Sequence, residues 1–477
     1  MHTISNSVVK KDHAPKMEGR SVYVCDIDKA FAEADKVYTE EFETGYQDQT
    51  YLETQGMMAE PEEGGRMFVH GSMQCAYYVH GAVMRALNCG PADVHVHQDV
   101  TGGGFGAPQA FFAVEMMMDH IAKDLGVDTL EFKEAHLVKQ GDATSTSGKY
   151  HFPVPLPAMV DEVDKACDLR RKHKEYAKPQ TGRYRRGIGF SMHFHGAGFT
   201  GSGERDLIKA VARLHKYKDG TVEILASNGE IGQGLRTTFP KIVAHELNLP
   251  LEKVFYDHPD TSRVPDSGPT VASRSLMTVG ELLRRAAIKL RTEWKDGEDQ
   301  IVEEKFVEPD FMIPFYLDKF RGDAYPTYAW GAQAIEVEVD TYTGIAKILG
   351  AYASFDVGTP MDYNIVMGQM EGGFLQGIGY ASTEFMNYDN KGRIRNNSFS
   401  DYLIPTAVDV PVLNCQLHVE EYPFGPYGAK GAGELPLVGA APAYVEAIEQ
   451  ALGGDIRLHH APFTAEDTIK ALAKEEA

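Results

Sequence analysis

Residues 425–437 read Gly425-Pro426-Tyr427-Gly428-Ala429-Lys430-Gly431-Ala432-Gly433-Glu434-Leu435-Pro436-Leu437. The glycines at 425, 428, 431 and 433 let the backbone turn tightly and lie close against a neighbour. The apolar run from Leu435, continued by Ala441–Leu452, predicts helix. Glu434 is therefore a lone carboxylate at the end of a rigid glycine loop and ahead of an apolar helix. On the residues alone two readings stay open. Burial raises its pKa into the range of a general base, or it is an ordinary acid favoured by a helix start.

Three further glycine knots, 102–106, 229–234 and 368–373, flank predicted elements in the same way. Bare N–H groups ahead of a helix suit anionic or phosphate-bearing ligands; tight turns and close helix packing are the plain alternative. Gly102, Gly104 and Ala107 also satisfy the dinucleotide fingerprint after a strand ending near Gln98. The acid that fingerprint needs is missing, because Glu115 and Asp119 fall inside the next predicted helix. His95 with His97, and His193 with His195, each share a strand face without a third nearby ligand, and read as strand-surface histidines.

Outward from these knots the pattern is α+β, with mixed sheets and packed helices. Strands are predicted at Met67–His70 and Val94–Gln98, with a helix at Ala76–Leu87 between them. A helix follows from Pro108 to Leu125, with Phe111, Val114, Met118 and Ile121 on its apolar face and Gly126 as its cap. Another runs from Pro157 to about Tyr176. Lys178-Pro179-Gln180-Thr181-Gly182 is the linker candidate. Hairpins are expected around Lys218-Asp219-Gly220, between Ile208–Tyr217 and Thr221–Ser227, and around Thr343-Gly344. Helices are expected at Pro240–Leu247, Val279–Leu290, Asn364–Thr383 and Ala441–Leu452.

The chain has 477 residues, 43% hydrophobic and 24% charged, enough for large cores in two or three domains. Its 69 acidic against 47 basic residues leave a net charge of -22, which repels nucleic acid and anionic membranes. Five widely spaced cysteines without a C-x-x-C pair argue for reduced thiols in the cytoplasm. They also exclude zinc ribbons and cysteine-held iron–sulfur clusters, so any such cluster is expected on another chain. The first twenty residues carry no apolar segment, and no stretch reaches the ~20 apolar residues a bilayer span needs.

With these residues assembled, the sequence resembles the molybdopterin-binding large subunit of the xanthine dehydrogenase/aldehyde oxidase family of molybdenum hydroxylases. The resemblance rests on Ala30-Phe31-Ala32-Glu33-Ala34-Asp35, Tyr51-Leu52-Glu53, Gly71–Gln74, Gly102–Gly106, Gly229–Gly234 and Pro265-Asp266-Ser267-Gly268-Pro269-Thr270. It continues through Ala272-Ser273-Arg274, Val337-Glu338-Val339-Asp340, Asp356-Val357-Gly358, Gly368-Gln369 and Gly428–Glu434, in family order. It implies two cofactor-binding domains, 26–180 (internally shortened) and 181–477, behind an N-terminal tail of residues 1–25. It further implies an oxidoreductase that hydroxylates an aldehyde or N-heterocycle with oxygen from water. Molybdenum would be held by the pterin dithiolene without a direct protein ligand, with the cytosine dinucleotide form of the cofactor expected. Electrons would pass to partner subunits carrying 2Fe-2S clusters and FAD, in a cytoplasmic hetero-oligomer that involves no nucleic acid and no membrane.

By the same resemblance Glu434 is the catalytic base. The cofactor-binding positions are Gln74, Gly104, Phe105, Gly106, Gly232, Gln233, Gly234, Ser273, Gln369, Lys430 and Gly431, with segments 229–234 and 270–275 cradling pterin and phosphate. Phe105 and Phe199 correspond to residues that sandwich a flat substrate. Two departures stand out. The family's hammerhead-like first domain is mostly missing, and residues 102–109 fuse the start of one family loop to the end of a later one, F-R-G-F-G-A-P-Q. The deleted block held an arginine proposed to steady purines. A non-catalytic shortened homologue that binds cofactor or partners is therefore one alternative, and a Rossmann-type NAD dehydrogenase is the other.

Overall fold

The computed structural model describes residues 31–47, 56–101, 108–199, 203–208, 210–453 and 455–475. In chain order the elements begin with β1 (Glu43–Thr44), β2 (Met57–Pro61), β3 (Met67–Gly71), α1 (Ala76–Leu87), β4 (Val94–Gln98), α2 (Gln109–Asp124) and α3 (Thr129–Ala135). They continue with α4 (Leu156–Cys167), α5 (Leu169–Tyr176), β5 (Tyr184–Ala197), β6 (Val211–Lys216), β7 (Val222–Leu225), α6 (Leu235–Leu247), β8 (Val254–Tyr256) and α7 (Gly280–Glu293). The last are β9 (Gln300–Lys305), β10 (Thr327–Asp340), β11 (Ala346–Asp356), α8 (Tyr363–Ser382), β12 (Leu413–His418), α9 (Leu435–Val438), α10 (Ala440–Leu452), β13 (His460–Ala461) and α11 (Ala465–Glu475).

The fold is α+β with open mixed sheets. The long antiparallel pair β10–β11 forms around Thr343-Gly344, with Gly344 left-handed at φ +74, and extends into the order β12-β11-β10-β5. β12 runs parallel to β11, and β5 antiparallel to β10. A second sheet, β8-β7-β6-β9, is backed by α6 and α7 around Leu214, Phe239 and Leu283. The third, β2-β3-β4, packs on α1 through Val69, Val96 and Met73. Helix α10 lies directly on β5. A Cβ on Gly187 or Gly189 would come within 1.9 or 2.0 Å of the carbonyls of Ala447 and Ala443, so only glycine admits this approach. Helices α4 and α5 bury Met159, Val163 and Leu169 against Ile188, Trp330 and Ala332, in one core shared across the 178–182 linker.

Several expectations change. The predicted helix 157–176 is two helices, because Asp168 adopts φ +58, ending α4 and starting α5. Of the face predicted for α2, Ile121 is buried and Phe111 and Met118 are half-buried. Val114 is exposed, whereas Phe112, Met116 and Ile121 are buried together with the polar Glu115, Asp119 and His120. That helix is enclosed on most sides, so an apolar stripe does not mark its inner face. Ile208 belongs to a π-helical turn, Gly203–Ile208, rather than to the strand, and α6 begins five residues before Pro240. The nicotinamide alternative loses its support: β4 is the edge of a three-stranded sheet, not a central strand of a doubly wound one.

Candidate functional site

One cavity of about 720 Å³ collects residues that the sequence scatters over 360 positions. Gln74, Gly232, Gln233, Ser273, Gln369, Lys430, Gly431 and Glu434 all line it. Gln74 stands in the turn between β3 and α1. Its side-chain amide donates to the Thr270 carbonyl at 3.0 Å, and the Thr270 N–H donates back to the Gln74 carbonyl at 3.0 Å. This two-way clasp joins the β2–β4 unit to the 270–275 loop. Gly104, Phe105 and Gly106 lie outside the described residues.

Glu434 is placed by its loop. Gly431 sits on the backbone of Ser273 so closely that a Cβ there would come within 1.5 Å of the Ser273 carbonyl oxygen. Ala272 and Ser273 are themselves left-handed, at φ +54 and +51. Non-glycine residues held in this conformation cost on the order of 1–2 kcal/mol each. The Gln369 amide donates to the Gly433 carbonyl at 2.7 Å, and Lys430 N–H donates to the Val357 carbonyl at 2.9 Å. Against the Glu434 carboxylate stand the Ser273 hydroxyl, which donates to Oε2 at 3.3 Å, and His195 Nε2 at 3.6 Å. Burial, with a contribution from the Glu434 charge, lifts the Tyr325 phenol above its usual range.

The other expected residues are not equivalent. The Lys430 ammonium is buried and bonded to Asp356 Oδ2 at 2.5 Å, so it pins the loop to the end of β11. Burial raises the Asp356 carboxyl, with Lys430 opposing that rise. Gln233 turns back on its own loop, accepting from Ile231 N–H at 2.6 Å and donating to the Gly229 carbonyl at 2.9 Å. The N–H groups of Gly232, Gly234 and Arg236 all donate to the Glu230 carboxylate, at 2.8–2.9 Å. The expected anion cradle at 229–234 is thus occupied by an anion of the chain itself, drawn there by the unpaired donors of a helix start. Phe199 is half-buried beside Gly198, whose N–H donates to the Ala272 carbonyl, and is not among the lining residues.

His193 and His195 are not surface histidines. His193 is buried against Gly331 and Gly439, and burial pushes its pKa down to about 3, so it is neutral. His195 faces Glu434, and its buried Nδ1 has no hydrogen-bond partner among the described residues. Gln376 on α8 lines the cavity with a buried Nε2 that likewise lacks a partner. His195, which the sequence offers only as a strand-surface histidine, Tyr325 and Gln376 are site residues that the sequence reading missed. The polar, period-two pattern of His193 and His195 on an otherwise buried strand was the available signal for the first.

A molybdopterin cofactor-binding domain model matches residues 10–107 and 104–137, and a second model of the same description matches residues 162–307 and 298–411. The chain belongs to the molybdopterin cofactor-binding domain family. It is similar to an aldehyde oxidoreductase of Megalodesulfovibrio gigas, 30% identical over 392 residues, covering 77% of this chain and 41% of the relative. It is also similar to a xanthine dehydrogenase molybdenum-binding subunit of Escherichia coli, 29% identical over 387 residues, covering 73% of this chain and 50% of the relative. The chain spans half or less of the length of these curated relatives. The solved aldehyde oxidoreductase of Desulfovibrio gigas shares the fold, with a TM-score of 0.81 at 19% identity, over 98% of this chain and 63% of that one.

The cavity of this molybdopterin-binding chain fits a large polar cofactor. Gly232, Gly368 and Gly372 present bare backbone to it, with open space where a side chain would be. The unpartnered Gln376 amide supplies a donor. Among the described residues no helix is long and apolar enough to cross a membrane, and Cys75, Cys89, Cys167 and Cys415 are free thiols.

Proposed function

We propose that the chain is the cofactor-carrying part of a molybdenum hydroxylase that oxidises an aldehyde or N-heterocycle with water as the oxygen source. The observation that carries this reading is the meeting of Glu434, Ser273, Gln74 and Gln369 in one cavity. Gln74, Gln369, Gln376, Ser273 and the bare backbone at Gly368 and Gly372 would hold the cofactor. When bound, it supplies a Lewis-acidic metal and a two-electron acceptor. Glu434 accepts the proton at Oε1, the oxygen that the Ser273 and His195 contacts at Oε2 leave open. Ser273 steadies the other oxygen, and the Lys430–Asp356 pair keeps the loop from moving during proton transfer. Gly431, pressed on Ser273, fixes the distance between base and pterin-binding wall.

The cytosine dinucleotide form of the pterin, 2Fe-2S and FAD partner subunits, a cytoplasmic hetero-oligomer and the division into 26–180 and 181–477 are parts of the same proposal. They are supported by the family resemblance and by the relative named as a molybdenum-binding subunit. The test is elemental analysis and release of the oxidised pterin from protein expressed with its natural partners, followed by dye reduction with heterocycles and aldehydes. About one molybdenum per chain with turnover is expected. Molybdenum without turnover on any such substrate would favour the non-catalytic homologue, and absence of both metal and pterin would end the proposal.

A further inference from the structure

Outside the cavity's lining, three segments remote in sequence meet at Glu40, His120 and His459, whose donor atoms all lie within 4.8 Å of one another. Glu40 precedes β1, His120 is in α2 and His459 precedes β13, while β1 pairs with β13. The His120 ring is flanked by two carboxylates. Its Nε2 is 2.8 Å from Glu449 Oε1, and its Nδ1 is 2.6 Å from Glu40 Oε2. Glu449 is fully buried, paired with Lys123, and accepts the Leu458 N–H at 2.6 Å. With Glu449 on the Nε2 side, Nδ1 is the ring nitrogen that meets Glu40. His459 Nε2 stands 3.5 Å from the same Glu40 oxygen. Two imidazole nitrogens and one carboxylate oxygen therefore converge on one point, where a bound cation would take the place of the proton between His120 and Glu40.

The geometry points to a binding site for one divalent transition-metal ion of the zinc class, with Glu40, His120 and His459 as ligands and Glu449 orienting His120. A histidine that ligates through one nitrogen while giving its other N–H to a buried carboxylate is the usual support of such sites. Two imidazoles and one carboxylate suit zinc, cobalt or nickel better than magnesium or calcium. Tetrahedral bonds of about 2.1 Å separate ligand atoms by roughly 3.4 Å, close to the Glu40–His459 spacing, and a small rotation of Glu40 opens the other. Phe42 packs against both rings, stacked on His120 at 6.0 Å between centroids and tilted by 38° against His459 at 5.3 Å, and restrains their planes. The 38% exposure of His459 leaves a side open for ion entry and a water ligand. The ion would clamp residues 40–44 and 455–461 onto α2, independently of the proposed reaction.

The rival arrangement is a doubly protonated His120 between two carboxylates, with no metal. Cobalt(II) added to the chelator-stripped full chain separates the two. The expected result is saturation at one equivalent, with the visible absorption of a four- or five-coordinate histidine site and displacement by zinc. His459→Ala and Glu40→Gln should each weaken binding at least tenfold, and Glu449→Gln about 10–100-fold. His97→Ala, in a separate histidine and aspartate cluster with Asp99 and Asp260, should leave it unchanged. Circular dichroism checks that each variant folds. No saturable absorption, or absorption that survives both His459→Ala and Glu40→Gln, overturns the site.

Discussion

Two clusters of charge in this molecule are built in opposite ways. Around Lys133, everything is buried. Its ammonium lies 2.8 Å from Asp119, 3.3 Å from Glu115, 3.6 Å from Glu446 and 2.8 Å from the Phe190 carbonyl. Glu446 also accepts from Phe190 N–H and Thr129, and Glu115 from Met192 N–H, so the cluster locks α2, α3, α10 and β5 together. Three carboxylates share one lysine and His173. Burial raises the Asp119 carboxyl well above the carboxylate range, while Lys133 and His173 overcome burial to hold Glu446 low. Around Glu434 the side chain is 28% exposed and meets one hydroxyl at 3.3 Å and one imidazole at 3.6 Å. Dense pairing makes the first cluster a joint; sparse pairing around Glu434 is the arrangement its proposed role as a base requires.

This contrast is open to attack. Lys133→Met strands three buried acids, and should destabilise the chain by about 3–5 kcal/mol in denaturant unfolding. If it costs less than a surface substitution, the joint is misassigned. Gly431→Ala forces the loop off Ser273. It should cost about 1–3 kcal/mol and deplete bound pterin, measured by unfolding and by pterin release. His173 supplies a pH signature. Burial alone would lower its pKa, but Asp128 and Glu446 outweigh it and raise it from the ordinary histidine value of about 6.5 to about 9. Its contribution to stability is therefore complete below about pH 6.5 and is lost as pH rises through about 9. His173→Gln should flatten that part of the stability profile. The smallest effect is expected at His195, whose replacement by Gln should lower kcat about tenfold and shift its pH profile, with little change in unfolding.

Much of this was legible in the residues. Strand alternation placed β4, apolar periodicity placed α1, and both agree with the structure residue for residue. The glycine knots led to the cavity because close backbone approach leaves only one residue type possible, as Gly431 on Ser273 demonstrates. The break at Asp168 was hidden, since a single left-handed aspartate changes no hydrophobic pattern. The inner face of α2 was hidden for the opposite reason: Glu115, Asp119 and His120 look solvated until the distant Lys133 and Glu449 are seen beside them. Gln376 and the Glu40–His120–His459 group depend on segments meeting from far along the chain, which no local spacing encodes. That Glu230 would occupy the 229–234 N–H groups was hidden, because a carboxylate and a phosphate satisfy the same donors.

The central claim, that Glu434 is a proton acceptor rather than a structural acid, is tested by rapid mixing of substrate with Glu434→Gln protein carrying its full molybdenum and pterin content. The account predicts unchanged cofactor content and thermal stability, with cofactor reduction slowed about 10²–10⁴-fold. Reduction at the parent rate in the fully loaded variant would contradict it.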